Sequence, residues 1–402
     1  MRTSLLVILL ISILSCKEKE SRTLKNGTYR GSLIAQENQS MPFIFEVTSA
    51  HSLKIYNADE VVEVDEITYD NDSIFIKLPF FRTVINAKFD GNNLNGQWID
   101  TDRDRYVDFY AEYSVKQRFD DKPSNNDVNV SGVWEMKFND YGRIYPGKAV
   151  LEQNGNKVTG TIRNPAGDYR FLEGVVSADT MKISTFDGAH AFLFKAHVTD
   201  SSMVGNFYSG NHSIETFVGK PNPNFSLPDE YTLTFIKEGY DTFNFSFPDL
   251  EGNMVSLTDD RFKDKVVLVQ LMGSYCPNCL DETKFYSKYY EANKDKGLEI
   301  VALAFENAKS KEKAINGITR MKKRVGLNYE ILLAQIGTND KGKAQEKLPM
   351  LNKVISYPTT IYLDRKGKVR KIHTGFNGPA TGEKFENFKI EFESFLNILL
   401  SE

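Results

Sequence analysis

Three regimes of hydrophobic and polar alternation follow one another along the chain. Residues 4–14 form a nearly unbroken apolar run. From Gly27 to about Tyr113, short runs alternate with period two, as in Pro42-Phe43-Ile44-Phe45-Glu46-Val47 and Ser73-Ile74-Phe75-Ile76-Lys77-Leu78, and predict half-buried strands. Asp70-Asn71-Asp72 and Asp90-Gly91-Asn92-Asn93 suit the tight turns between such strands. The same rhythm resumes at Gly132. Beyond Phe243 it gives way to uniformly apolar runs, Lys265 to Met272 and Leu298 to Ala304, which read as strands buried on both faces. Helical patterns are predicted for Cys279 to about Asn293, Lys309 to Val325, Lys341 to Leu351 and Glu383 to Leu400, with further strands at Tyr329 to Ala334, Thr359 to Leu363 and Val369 to Ile372. Strands alternating with helices imply a mainly parallel sheet covered on both sides, edged by an antiparallel hairpin.

These regimes divide the chain into a leader at 1–16, a tether at 17–24, a first β unit at 25–118, a linker at 119–130, a second β unit at 131–219, a linker at 220–240 and an α/β domain at 241–402. The β units resemble each other. Gly132-Val133-Trp134 echoes Gly27-Thr28-Tyr29, and Met203-Val204-Gly205-Asn206-Phe207 echoes Leu94-Asn95-Gly96-Gln97-Trp98, at offsets of 105 and 109 residues. Two copies of one antiparallel unit are expected, each a small sandwich or a curled, barrel-like sheet. Trp98, Trp134 and the surrounding Phe and Tyr residues are assigned to their cores, with a ligand groove as the alternative.

A net charge of −4 supplies no general attraction to nucleic acid, which is therefore not expected as a partner. The N-terminus changes the picture more. Arg2 precedes the apolar run, which is too short to span a bilayer and ends Ile13-Leu14-Ser15-Cys16 before Lys17-Glu18-Lys19-Glu20. This resembles a bacterial lipobox, in which Cys16 is lipidated and becomes the mature N-terminus. The acidic residues after it resemble export signals of some Bacteroidetes lipoproteins, although Lys17 and Lys19 interleave with them. The expected location is the cell envelope, lipid-anchored to a membrane and facing the periplasm or the cell surface, where disulfides persist.

Cys16 apart, the thiol chemistry of the chain is one pair, Cys276 and Cys279. Cys-x-x-Cys directly after an apolar strand reads as a redox pair at a helix start. There the unpaired N–H groups and the macrodipole stabilise an anion, so the first thiol should ionise more readily than a free one. Cys276 would sit at the exposed tip and attack a disulfide; Cys279, about a turn further in, would resolve the mixed disulfide. Half of a zinc site and a purely structural disulfide stay open. No metal site is expected, since there is no second Cys pair and His190, His197 and His212 show no ligand spacing. The basic helix carrying Lys309, Lys311, Lys313, Arg320, Lys322, Lys323 and Arg324 is read as a solvated face, with an acidic docking partner as the alternative.

From Phe247-Pro248-Asp249-Leu250-Glu251-Gly252, through Gly273-Ser274-Tyr275-Cys276-Pro277-Asn278-Cys279-Leu280-Asp281-Glu282, to Ser356-Tyr357-Pro358-Thr359-Thr360 and His373-Thr374-Gly375-Phe376, the C-terminal part resembles the TlpA/ResA-type thioredoxin-like disulfide reductases. The resemblance implies a thioredoxin-like fold, no cofactor beyond the Cys276–Cys279 couple, a protein disulfide substrate outside the cytoplasm and a membrane electron donor. It further implies that Pro358 is a cis-proline, that the Tyr357-Pro358 loop offers backbone groups to a substrate strand, that Tyr275 and Pro277 border the substrate, and that Glu282 manages protons. Glu282 on the surface of an acidic first turn is the competing reading. Cys-Pro-Asn-Cys departs from the family, where proline usually takes the second intervening position; thiol oxidases and glutaredoxins also use Cys-Pro-x-Cys, so the direction of electron flow stays open, with a thiol oxidase or isomerase using the same pair as the alternative. A peroxiredoxin would want Thr and Pro where Gly273 and Val269 stand. A second class of function is a β-domain binding protein in which the thioredoxin-like unit only docks.

Overall fold

The computed structural model describes residues 22–124, 128–240 and 242–402; the leader, Cys16 and most of the tether lie outside them. Nine antiparallel strands, from Gly27–Ile34 to Arg105–Tyr113, form the first sheet. Each pairs with its sequence neighbour except Glu60–Val64 and Glu66–Asp70, the two edges, and the first strand pairs with the last. A single residue, Asp65, joins the two edges. A nine-stranded sheet whose edges are one residue apart must roll up, so the unit is a barrel with a seam.

The second unit closes fully. Gly132–Asp140 pairs with both Arg143–Asn154 and Ser213–Pro221, and the pairing of Arg143–Asn154 with Lys157–Asn164 completes an eight-stranded ring. The repeat read from sequence is structural. Tyr29 and Trp134 are both buried and both reach back four residues, Tyr29 Oη donating to the Lys25 carbonyl and Trp134 Nε1 to that of Val130. Gly96 and Gly205 face Ala87 and Ala196 across a strand pair, and a Cβ on either would lie 2.1 Å from a neighbouring backbone oxygen. A side chain there would push the strands apart, which is why glycine recurs at this point of both copies.

The C-terminal sheet has five strands in the spatial order Glu330–Gln335, Leu298–Phe305, Val266–Met272, Thr359–Leu363, Val369–Thr374. The first three are parallel and the last two antiparallel, the mixed arrangement of a thioredoxin-like fold. Val266–Met272 is central and buried at every position. Helices α1 (Pro277–Asn293), α2 (Lys311–Val325), α3 (Lys341–Lys347) and α4 (Glu383–Ser401) accompany it. The core of this unit takes in Phe81 from the first barrel and Ala189 from the second, so the three units share apolar contacts.

Four expectations are corrected. Helix α3 stops at Lys347 because Pro349 forces Leu348 out of helical geometry (φ −126°, ψ 62°). Helix α2 starts at Lys311, Ser310 being its N-cap with Oγ accepting the Lys313 N–H at 3.2 Å. The last strand of the second barrel runs on to Pro221, opposite Trp134, instead of ending at 219. The basic helix is only partly a solvated face: Lys311 and Lys323 are exposed, but Arg320 pairs with Glu66, Arg324 with Asp65 and Glu66, and Lys309 just before the helix with Asp104, all acids of the first barrel. The acidic partner of the helix is the chain itself.

Candidate active site

The apolar strand Val266–Met272 ends at a turn that Glu306 ties down. Glu306, buried just past the end of the neighbouring strand Leu298–Phe305, accepts the Ser274 N–H at 2.7 Å and the Ser274 hydroxyl at 2.8 Å. Burial pushes its carboxyl up to about 7 against the pull of these bonds. The chain then enters α1 with Cys276 as N-cap and Pro277 at the first helical position, where its missing N–H costs nothing. Cys276 Sγ accepts the Cys279 N–H at 3.3 Å, so the helix end offers a backbone donor to the outer sulfur.

Both thiols are free. Cys276 is half-buried and Cys279 fully buried, and the thiol of Cys279 is pushed well up by burial and by its hydrogen bond to Cys276, with the Glu282 charge adding to the effect. Across from them the Tyr357–Pro358 peptide bond is cis, the form that the resemblance implies, and the Tyr357 carbonyl accepts Cys276 Sγ at 3.5 Å.

Glu282 lies inside the protein, not on its surface. It is fully buried one turn beyond Cys279, accepting Gln270 Nε2 at 2.8 Å, Thr360 Oγ1 at 3.0 Å and Tyr286 Oη at 3.1 Å. Gln270 in turn accepts Tyr329 Oη at 3.1 Å. Burial pushes Glu282 up to about 7, against the lowering effect of the three donors. A carboxyl in that range is half-protonated near neutral pH and can both take and return a proton.

Two of the other sequence-derived candidates, Tyr275 and Pro277, meet the first barrel. The half-buried Tyr275 ring lies under the Arg103 guanidinium of the first barrel, 5.3 Å from the ring centroid. Pro277 is buried rather than displayed; it lines a cleft of about 390 Å³ with Val61, Val62 and Phe80 of the first barrel and Leu280 and Lys284 of α1. The Tyr357 ring is covered, stacked on Phe305 at 5.2 Å, so its backbone and not its ring faces Cys276.

Sequence reasoning missed three residues. Gln270 is the one polar residue of a seven-residue apolar strand, a signal that could have been followed. Glu306 ends an apolar run at the C-terminal edge of a sheet, where sites of α/β folds collect. Lys341, 3.8 Å above the Tyr357 ring and interacting with the charges of both cysteines, leaves no such trace; burial lowers its pKa while the thiol charges oppose that. Among the described residues no cluster of His, Cys, Asp and Glu could hold a metal ion.

Residues 218–388 match the family model described as Redoxin. Thiol-disulfide oxidoreductase ResA of Halalkalibacterium halodurans is 32% identical over 144 residues, covering 35% of this chain and 69% of that protein. Thioredoxin-like protein YneN of Bacillus subtilis is 32% identical over 140 residues, covering 35% and 73%. A solved thiol-disulfide oxidoreductase from Bacteroides fragilis aligns with TM-score 0.27 and 20% identity over 37% of this chain and 99% of that one. With a thiol pair at a helix N-terminus beside a cis-proline, and with relatives of this identity and coverage, the chain belongs to the ResA-type thioredoxin-like thiol–disulfide oxidoreductases and is an oxidoreductase of that kind.

Proposed function

We propose that the protein is a lipid-anchored envelope enzyme that reduces disulfides in other proteins outside the cytoplasm. The observation that carries the direction of attack is the asymmetry of the pair: Cys276 is half-exposed and bonded to a helix-end N–H, whereas Cys279 is fully buried beside a buried carboxyl. The Cys276 thiolate attacks one sulfur of the substrate disulfide and expels the other as a thiolate. Glu282 accepts the proton of Cys279, whose sulfur then attacks Cys276 and releases the second substrate thiol. The substrate gains two electrons and two protons, one passed on by Glu282 and one taken from solvent in place of that lost by Cys276 on ionising; the enzyme is left with a Cys276–Cys279 disulfide, and a dithiol donor at the membrane restores it. The Tyr357–Pro358 loop holds the substrate backbone. Lipidation of Cys16 supplies the anchor; no helix of the described residues is long and apolar enough to cross a membrane.

The test is reduction of insulin by the full chain with dithiothreitol as donor. Cys276→Ser should lower turnover to the uncatalysed rate, while Cys279→Ser should accumulate a mixed disulfide through Cys276. Native-like activity in Cys276→Ser sinks the proposal. Pro277 at the first intervening position supports a second reading, a thiol oxidase. A reduction potential of the couple near −270 mV favours the reductase, and one near about −120 mV favours the oxidase.

A further inference from the structure

The second barrel sends one loop to the thiol pair. Its Pro165–Asp168 segment runs between three parts of the thioredoxin-like unit: the dipeptide between the cysteines, the cis-proline loop and the turn at Phe376. Gly167 forms a parallel β-bridge with Phe376. The Ser356 hydroxyl donates to the Ala166 carbonyl at 2.9 Å, and the Gly378 N–H donates to Asp168 Oδ2 at 2.6 Å. Asn278 Nδ2, between the two cysteines, donates to the carbonyls of both Asp168 and Phe376 at 3.1 Å. The fit leaves no slack. Gly167 has φ +141° and a Cβ there would lie 2.4 Å from Asn278 Nδ2; Gly375 has φ +78° and its Cβ would lie 2.8 Å from the Ala166 carbonyl carbon. Arg170, two residues on from Asp168, is buried and bonded to Asp281 of α1 and Glu60 of the first barrel, so the loop is clamped by all three units.

We infer that this segment is a fixed wall of the substrate site and determines which disulfides the enzyme accepts. An extended substrate passing over Cys276 in both directions would need the polar edge formed by Ser356, Asn278 and the Phe376 turn. That edge is already satisfied by the chain's own Ala166, Gly167 and Asp168, with main-chain and buried side-chain bonds that a competing strand would have to replace one for one. The substrate therefore leaves Cys276 on one side only. The class of partner that fits is a disulfide near a chain end or at the tip of a tight turn, not one in the middle of an extended strand.

This inference rests on Cys276 as the attacking thiol, and the test separates the two. Pre-reduced full chain is mixed with symmetric peptide disulfides and single-turnover release of peptide thiol is measured. The peptides carry the cysteine alone, or flanks of roughly four residues on the N-terminal side, the C-terminal side or both, enough to cover about 13 Å of groove. Peptides flanked on one particular side should react like the bare cysteine peptide, whereas those flanked on the other side or on both should react at least about tenfold more slowly. Equal rates across the series overturn the wall. Failure to reduce even the bare peptide overturns the assignment of Cys276 instead. Replacing residues 165–168 with Gly-Gly should bring the doubly flanked peptide to the rate of the faster singly flanked one; a folded variant that keeps the native pattern also overturns the wall, and if the variant does not fold the peptide series on the native chain decides.

Discussion

The two barrels hold the thioredoxin-like unit by different physical means. Besides Phe81 in the shared core and Glu60 on Arg170, the first meets it through charges that water still reaches: in the Arg324–Asp65 and Lys309–Asp104 pairs the side chains of Asp65, Lys309 and Asp104 are 62%, 61% and 53% exposed. The second meets it through a β-bridge, a hydrogen bond from the Gly378 N–H to the Asp168 carboxylate and Arg170, whose side chain is 8% exposed and that of its partner Asp281 9%. Exposed pairs gain little because water and salt compete for both charges. A buried guanidinium has no such competitor, so removing it strands every acid it faced. The similar folds of the two barrels thus serve different ends: along α2 the first is held by exposed ion pairs, whereas the second is fixed beside the thiols by buried ones.

The largest expected effect tests the buried side. Arg170→Met leaves Asp281, Glu60 and Asp187 without their shared cation and should lower stability by about 3–5 kcal/mol, read from urea unfolding of the full chain. A loss no larger than that of an exposed pair would erase the distinction between the barrels.

Next comes the carboxyl behind the thiols, whose hydrogen-bond partners all belong to the thioredoxin-like unit. Glu282 has a folded-state value of about 7 against an ordinary 4.5, so the native state keeps a proton that the unfolded chain releases. Its contribution is fully present below about pH 4.5 and is lost as pH rises through 7, amounting to roughly 3 kcal/mol by the alkaline side. Glu306 adds a second dependence of the same sign. Burial lowers His190, His212 and His373, whose contributions rise with pH up to about 6.5, so the Glu282 part is read as a difference: between pH 5 and 8 the unfolding free energy of the native chain should fall relative to that of Glu282→Gln. The same variant should slow resolution of the mixed disulfide by about 100-fold near neutral pH, seen as its accumulation on quenching.

The smallest effect sharpens the first barrel's side of the comparison. Arg324→Ala should cost at most about 1 kcal/mol at low salt, and the difference from the native chain should vanish near 1 M NaCl, where charges are screened within about 3 Å. A salt-insensitive loss of several kcal/mol would mean that this interface is as tightly built as the other.

Legibility in the sequence followed the range of the interactions. The strand before the cysteines, the N-cap position of Cys276 and the Tyr357-Pro358 segment are local patterns, and each element was found within a few residues of its place. The Tyr29/Trp134 and Gly96/Gly205 echoes were visible because each reflects a strand-level constraint repeated in both copies. Pro349 was visible too, and the longer helix expected across it disregarded its effect on Leu348. The basic run on α2 looked solvated because charge at helical spacing is the same whether water or another unit of the chain answers it. Whether Glu282 faced the solvent or the interior could not be decided from one helical turn, since that depends on Gln270, Thr360 and Tyr286 converging from three elements.

By itself the sequence determined a thiol pair at the start of a helix, a strand behind it and a repeated β pattern ahead of it, while the proline loop facing the pair was implied by the family resemblance. Periodicity, capping and turn chemistry act over a few residues, and they suffice for that much. Only the tertiary structure decided that Glu282 and Glu306 are buried, that Arg103 covers Tyr275, that the first barrel answers the basic helix and that Pro165–Asp168 lines the site. Those facts join residues more than a hundred positions apart in several cases, and no local pattern carries them because burial and charge pairing are properties of the packed chain.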